Sequence, residues 1–130
     1  MCLYFFANAL DSVVVGTGNK SELTMGYFTK FGDGGADLLP LAGVVKGEVR
    51  QMAQLLGIPQ VIIERPPTAG LWEGQTDEGE MGMTYELLDQ IIKAMETKKT
   101  RGIPKKDLVK VRQAFEATAH KRALPISFKP

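Results

Sequence analysis

The run Gly16-Thr17-Gly18-Asn19-Lys20-Ser21-Glu22 brings two glycines, hydroxyls and a carboxylate together directly after Val13-Val14-Val15. An all-apolar strand that delivers the backbone into a glycine turn is laid out like a nucleotide site, because parallel sheets bind ligands at that end of their strands. Two commoner phosphate motifs fail here. Gly16-Thr17-Gly18 opens like a dinucleotide fingerprint, but Ser21 stands where the third glycine belongs. Asn19-Lys20-Ser21 resembles the end of a Walker A loop, yet Asn19 replaces its glycine and the preceding spacing is wrong. The simpler alternative is a tight turn after a strand.

Lys46 falls in the first turn of a predicted helix, where its ammonium faces the positive end of the macrodipole. A bound anion reverses that penalty, since free N–H groups at a helix N-terminus attract phosphate and an ammonium strengthens the attraction. The alternative is a solvated surface lysine. Lys30 and Asp37 bracket a loop rich in glycine that also carries Asp33. Such a loop has little to hold it rigid and either closes over a substrate or simply moves at the surface. Gly74-Gln75-Thr76-Asp77-Glu78-Gly79-Glu80 has the carboxylate density of a metal loop without EF-hand spacing, and reads as mainly structural. Trp72 and Met81 read as packing residues. His120 beside Lys121 would by itself be a surface pair.

The elements that position these residues alternate. Residues 3 to 10 read as a short buried helix, Val13 to Val15 as a strand covered on both faces, and a helix starts near Ser21 or Glu22. A helix over 46–56 ends at Gly57 with Pro59 beyond, and Gln60-Val61-Ile62-Ile63-Glu64 reads as a second strand stopped by Pro66-Pro67. Helices over 84–95 and 104–119 follow, with Pro104 in the first turn of the latter. Helices alternating with strands are the grammar of a parallel sheet. Two strands cannot complete one, so the chain is expected to be part of a larger domain.

At 130 residues and 44% hydrophobic content the chain is the size of one domain. No apolar stretch is long enough to span a bilayer, and the residues after Met1 lack the basic start of a signal peptide, so no membrane partner and a cytoplasmic location are expected. Cys2 is the only cysteine, which excludes an internal disulfide. A net charge of +1 hides an asymmetry: residues 1–92 carry 5 Lys or Arg against 12 Asp or Glu, and residues 93–130 carry 11 against 3. Without interleaved aromatics beyond Phe115 and Phe128, the basic tail reads as a solvated face and not as a nucleic-acid surface.

Taken with Lys46, Pro67-Thr68-Ala69, Gly74 to Glu78 and His120-Lys121-Arg122, the segment from Gly16 to Asp37 resembles the ammonia-dependent and glutamine-dependent NAD synthetases over nearly the whole chain. The resemblance implies an α/β fold, a partial Rossmann-like parallel sheet of the adenine nucleotide alpha hydrolase type with flanking helices. Residues 1–130 would be the carboxy-terminal portion of a single synthetase domain whose amino-terminal half is missing. It also implies a carbon–nitrogen ligase of NAD biosynthesis in which ATP adenylates deamido-NAD and ammonia displaces AMP, with no side-chain nucleophile. By the same resemblance Thr17, Lys46 and Thr68 would bind ATP, Glu22 would bind Mg²⁺, and Lys30, Asp37, His120 and Lys121 would bind deamido-NAD. Asp33 would lie near the incoming ammonia.

The family's Ser-Gly-Gly-x-Asp-Ser pyrophosphate loop does not occur in these 130 residues, and the arginine expected upstream of the Gly-Thr turn would precede Met1. Catalysis by this chain alone is therefore not expected. A homodimer is implied, with a separate amino-terminal half or a glutaminase as further partners. The alternatives are a non-catalytic binding or dimerisation domain of the same fold, and another ATP pyrophosphatase such as a GMP synthetase relative.

Overall fold

The computed structural model describes residues 2–128. Met1 and the last two residues of the basic tail, Lys129 and Pro130, lie outside the described residues. In chain order the helices are α1 (Cys2–Ala9), α2 (Lys20–Met25), α3 (Lys46–Leu55), α4 (Gln60–Ile63), α5 (Asp77–Met81), α6 (Tyr85–Thr97) and α7 (Lys105–Ala117), followed by a 3₁₀ turn over Ala119–Arg122. No helix among the described residues is long and apolar enough to cross a membrane.

The core is built around α6. Tyr85, Leu88, Ile91 and Ile92 recur at three- and four-residue spacing and are all buried, so one stripe of the helix faces inward. Against that stripe pack Val45 at the start of α3, Met81 and Met83 around the end of α5, and Val111 from α7. Each such aliphatic side chain contributes about 1.5–3 kcal/mol on burial. The Thr84 hydroxyl accepts from the Leu87 N–H at 3.3 Å and starts the helix. Thr84→Ala is expected to lower stability by about 1 kcal/mol in urea unfolding, the usual cost of an N-cap.

Four expectations change. Residues 60–64 are not a strand but the single turn α4, with Pro59 at its N-cap and the Glu64 N–H bonded to the Gln60 carbonyl at 2.9 Å. A helical turn satisfies its own backbone whereas a strand needs a neighbour, and Val61 here is 77% exposed. Helix α1 forms but is not buried: of its residues only Ala7 is inside. The strand at 13–15 is reduced among the described residues to one parallel bridge, Val15 to Leu38, and Val13 and Val15 are uncovered. The loop after Lys30 is a hydrogen-bonded run of turns: the N–H groups of Gly32 and Gly34 reach the Thr29 carbonyl, and the Asp33 carboxylate accepts from the Thr29 N–H at 2.8 Å.

Candidate functional site

The turn before α2 is pinned by close packing. A Cβ on Gly16 would stand 2.6 Å from Leu39 Cδ2 and 2.8 Å from Ala36 Cβ, so only glycine fits where its N–H donates to the Leu38 carbonyl. Asn19 and Glu22 then form a capping box: the Glu22 N–H donates to Asn19 Oδ1 at 3.1 Å, and the Asn19 N–H donates to Glu22 Oε2 at 3.0 Å. Glu22 Oε1 remains, and it accepts from Lys46 Nζ at 3.0 Å. Gly26, at φ 68°, closes the helix against Thr118.

A buried polar frame holds Lys46 opposite Glu22. The Ser21 hydroxyl donates to Asp89 Oδ1 at 2.6 Å and accepts from the Lys46 N–H at 3.0 Å, while the Gly47 N–H donates to Asp89 Oδ2 at 2.7 Å. Asp89 on α6 thus serves the free N–H groups of α3 from another helix, as a carboxylate at a helix start should. Asp89 was not singled out in the sequence, and Ser21 was read only as a departure from two phosphate motifs and as a helix start. The signal available was weak, an acidic residue on the apolar stripe of α6.

These elements enclose a cleft of about 490 Å³ that brings together Thr17, Glu22, Lys46 and Thr68, with Asp33 at its rim. It also takes in Arg65, Tyr27 and Asp77, which sequence reasoning assigned no site role. Arg65 was legible as a cation three residues before Thr68. Asp77 is buried, accepts the Tyr85 hydroxyl at 2.9 Å through Oδ2, and leaves Oδ1 without a partner among the described residues. Burial first, then the charge of Glu22 and the bond to Asp77, hold the Tyr85 phenol protonated far above its ordinary value. Lysine, arginine and carboxylates gathered in one cleft suit a phosphate chain that carries its own cation. Among the described residues no group of three or more His, Cys, Asp or Glu is placed to hold a metal ion.

A second cavity, about 520 Å³, shares Tyr27, Asp33 and Ala69 with the first and adds Phe28, Trp72 and Lys121. Trp72 is 56% exposed and belongs to this cavity wall, whereas Met81 is core. On the floor the Tyr27 hydroxyl donates to Glu80, which also accepts from Gln75 Nε2 at 2.8 Å. Those two bonds, Tyr27 first, lower the Glu80 pKa. A lowered folded-state pKa adds stability above the ordinary glutamate range that is lost as pH falls through the folded value. Tyr27→Phe is expected to raise the Glu80 pKa toward the ordinary range, read by carboxyl carbon NMR during acid titration.

Of the residues read as acceptor-binding, Lys30 meets the 3₁₀ turn that carries His120 and Lys121, and Asp37 is held elsewhere. Lys121 lines the second cavity, though its ammonium is held by the Gly26 and Phe28 carbonyls at 2.7 Å each. Lys30 donates to the His120 carbonyl, and His120 itself is exposed. Asp37 lines neither cavity: it accepts from the Val14 N–H at 2.8 Å and from the Tyr4 hydroxyl at 3.0 Å, tying α1 to the first turn. Cys2 is an exposed free thiol.

Comparison with known proteins places this geometry. The family model for NAD synthase matches residues 1–125. The NH(3)-dependent NAD(+) synthetase of Alkaliphilus oremlandii is 48% identical over 127 residues, covering 98% of this chain and 48% of that protein. The NH(3)-dependent NAD(+) synthetase of Archaeoglobus fulgidus is 51% identical over 122 residues, 94% of this chain and 49% of that protein. Among solved structures, NMN synthetase from Francisella tularensis superposes with a TM-score of 0.87 at 40% identity, covering 98% of this chain and 51% of that one. The chain spans about half the length of the curated relatives it matches. A match that begins before the Gly-Thr turn and runs past the His120-Lys121 pair establishes that this chain belongs to the NAD synthase family.

Proposed function

We propose that the chain supplies the nucleotide-binding part of an NAD synthase domain, its carboxy-terminal portion, acting in ATP-dependent amidation of deamido-NAD by ammonia. The observation that carries this reading is the single cleft shared by Thr17, Glu22, Lys46 and Thr68. Thr17, Thr68 and Lys46 would meet the ATP, with Arg65 as a second cation beside its phosphates. Glu22 Oε2 accepts from the Asn19 N–H and Oε1 from Lys46, and Glu22 would hold Mg²⁺ through a carboxylate lone pair that these bonds leave open. When bound, Mg²⁺ would supply charge neutralisation for departing pyrophosphate.

On the acceptor side Lys30, Asp37, His120 and Lys121 would bind deamido-NAD, and Asp33, at the rim of both cavities, would stand near ammonia. In the free chain Asp37 and Lys121 are held by the protein's own groups, so in those roles they would share or exchange these bonds. A cytoplasmic homodimer is part of the same reading. Calorimetry with Mg-ATP and with deamido-NAD tests it: affinity for Mg-ATP that falls on Arg65→Ala or Thr17→Ala is expected, and no affinity for either nucleotide would instead support a non-catalytic remnant. Membership of the NAD synthase family sets aside a GMP synthetase relative.

A second reading, a mononucleotide acceptor, draws support from the likeness to the Francisella NMN synthetase. Competition between deamido-NAD and its mononucleotide counterpart for the same chain separates the two.

A further inference from the structure

Helix α5 carries two carboxylates, Asp77 and Glu80, three residues apart, a spacing that puts both on one side of a helix. They belong to different cavities. Asp77 is part of the wall of the first cleft and Glu80 of the second, while Tyr27 lines both. They also differ in access to water: Glu80 is exposed, whereas Asp77 is only 6% exposed. One phenol serves them. The Tyr27 hydroxyl donates to Glu80, and Gln75 Nε2, which donates to Glu80 Oε2 at 2.8 Å, stands 3.5 Å from the same hydroxyl. Burial first and the bond to Glu80 next keep Tyr27 protonated, and the charge and hydrogen bonding of Asp77 add to them, so Asp77 too is within reach of this phenol.

A tyrosine O–H has a single proton and donates to one carboxylate at a time. The proton of Tyr85 is committed to Asp77 Oδ2 at 2.9 Å, and Asp77 Oδ1, closed to solvent, has no partner among the described residues. A buried acceptor without a donor is unfavourable because water cannot stand in for the missing group. Exposed Glu80 is under no such constraint, since water or a ligand can replace the donor it gives up. We infer that Tyr27 is a positioning residue that couples the two cavities: its O–H turns from Glu80 to Asp77 Oδ1 when a ligand in the second cavity brings a hydroxyl or N–H donor to Glu80. The ligand shifts the balance through the bond it makes to Glu80, which is available only in the second arrangement. Asp77 carries the effect into the first cleft, because its own N–H donates to the Pro67 carbonyl at 3.0 Å, directly before Thr68. With both oxygens bonded, Asp77 holds the Pro67-Thr68 turn more firmly. Such coupling is reciprocal, so a ligand in the first cleft favours binding in the second by the same factor. The identity of the two ligands rests on the function proposed above; the turn of the Tyr27 O–H does not.

The test reads Asp77 directly, by carbon NMR of the full chain labelled at its aspartate carboxyls and without any nucleotide. Glu80→Ala is expected to shift the Asp77 resonance, because it releases the Tyr27 O–H, and Glu80→Gln, a weaker acceptor of the same shape, should shift it the same way by less. On a Tyr27→Phe background the Glu80 substitutions should leave Asp77 where it is, a dependence that a merely structural Tyr27 would not produce. An Asp77 resonance that ignores Glu80→Ala and Glu80→Gln, or that follows them equally without the Tyr27 hydroxyl, overturns the inference. Calorimetry measures the coupling: Mg-ATP affinity is expected to rise about fivefold or more when deamido-NAD is present, and that ratio should fall toward one in Tyr27→Phe. An equal ratio in the two chains also overturns the inference. A chain that binds neither nucleotide would count against the proposed function, and the carboxyl measurement would still decide the role of Tyr27.

Discussion

Asp89→Ala is expected to destabilise the fold by about 3–5 kcal/mol, because it removes a buried carboxylate that two donors depend on and fills its place with nothing polar. The Ser21 hydroxyl would lose its acceptor in a buried site and the Gly47 N–H in a partly buried one. Against a total stability of about 5–15 kcal/mol for a domain of this class, such a loss is visible directly as a shift in the urea midpoint. Asp89→Asn keeps one acceptor oxygen and should recover part of the loss. A cost below about 1 kcal/mol for the alanine variant would mean that water replaces the carboxylate, and that the frame beneath Lys46 is not what positions it.

Lys46→Met should have its large effect on ligand and not on fold. The ion pair with Glu22 is only partly buried, with side-chain exposures of 21% and 18%, and pairs open to solvent contribute about 1 kcal/mol or less. A charge-assisted bond to phosphate is worth about 1.5–3 kcal/mol, so Mg-ATP affinity should drop by about 10- to 150-fold in calorimetry. The split between a small stability change and a large affinity change is what distinguishes a ligand-binding lysine from a structural one. Unchanged Mg-ATP affinity in a folded Lys46→Met chain would remove the main support for the nucleotide cleft.

Much of the candidate site could be read locally. The Asn19 and Glu22 capping box, the glycine at position 26 and the stripe on α6 each depend on residues within one or two turns of one another, so spacing in the chain equals spacing in space. The run Val61-Ile62-Ile63 misled because an apolar run of that length suits either a buried strand or a helical turn, and only a neighbouring strand could decide between them. Helix α1 was read as buried for a related reason: its apolar residues are there, but what would cover them is not among the described residues.

From the residues alone came the family, the carboxylate and lysine that share the first cleft, and the expectation that the chain is part of a larger domain. The tertiary structure alone decided which groups support them. Asp89 reaches Ser21 across 68 residues, Lys46 reaches Glu22 across 24, and Asp37 turns out to fasten α1 and Val14. No periodicity or spacing encodes such pairings, because a carboxylate takes whichever donors packing brings within about 3 Å. The same packing leaves the backbone groups of Val13 and Val15 without a partner among the described residues, which composition could not locate.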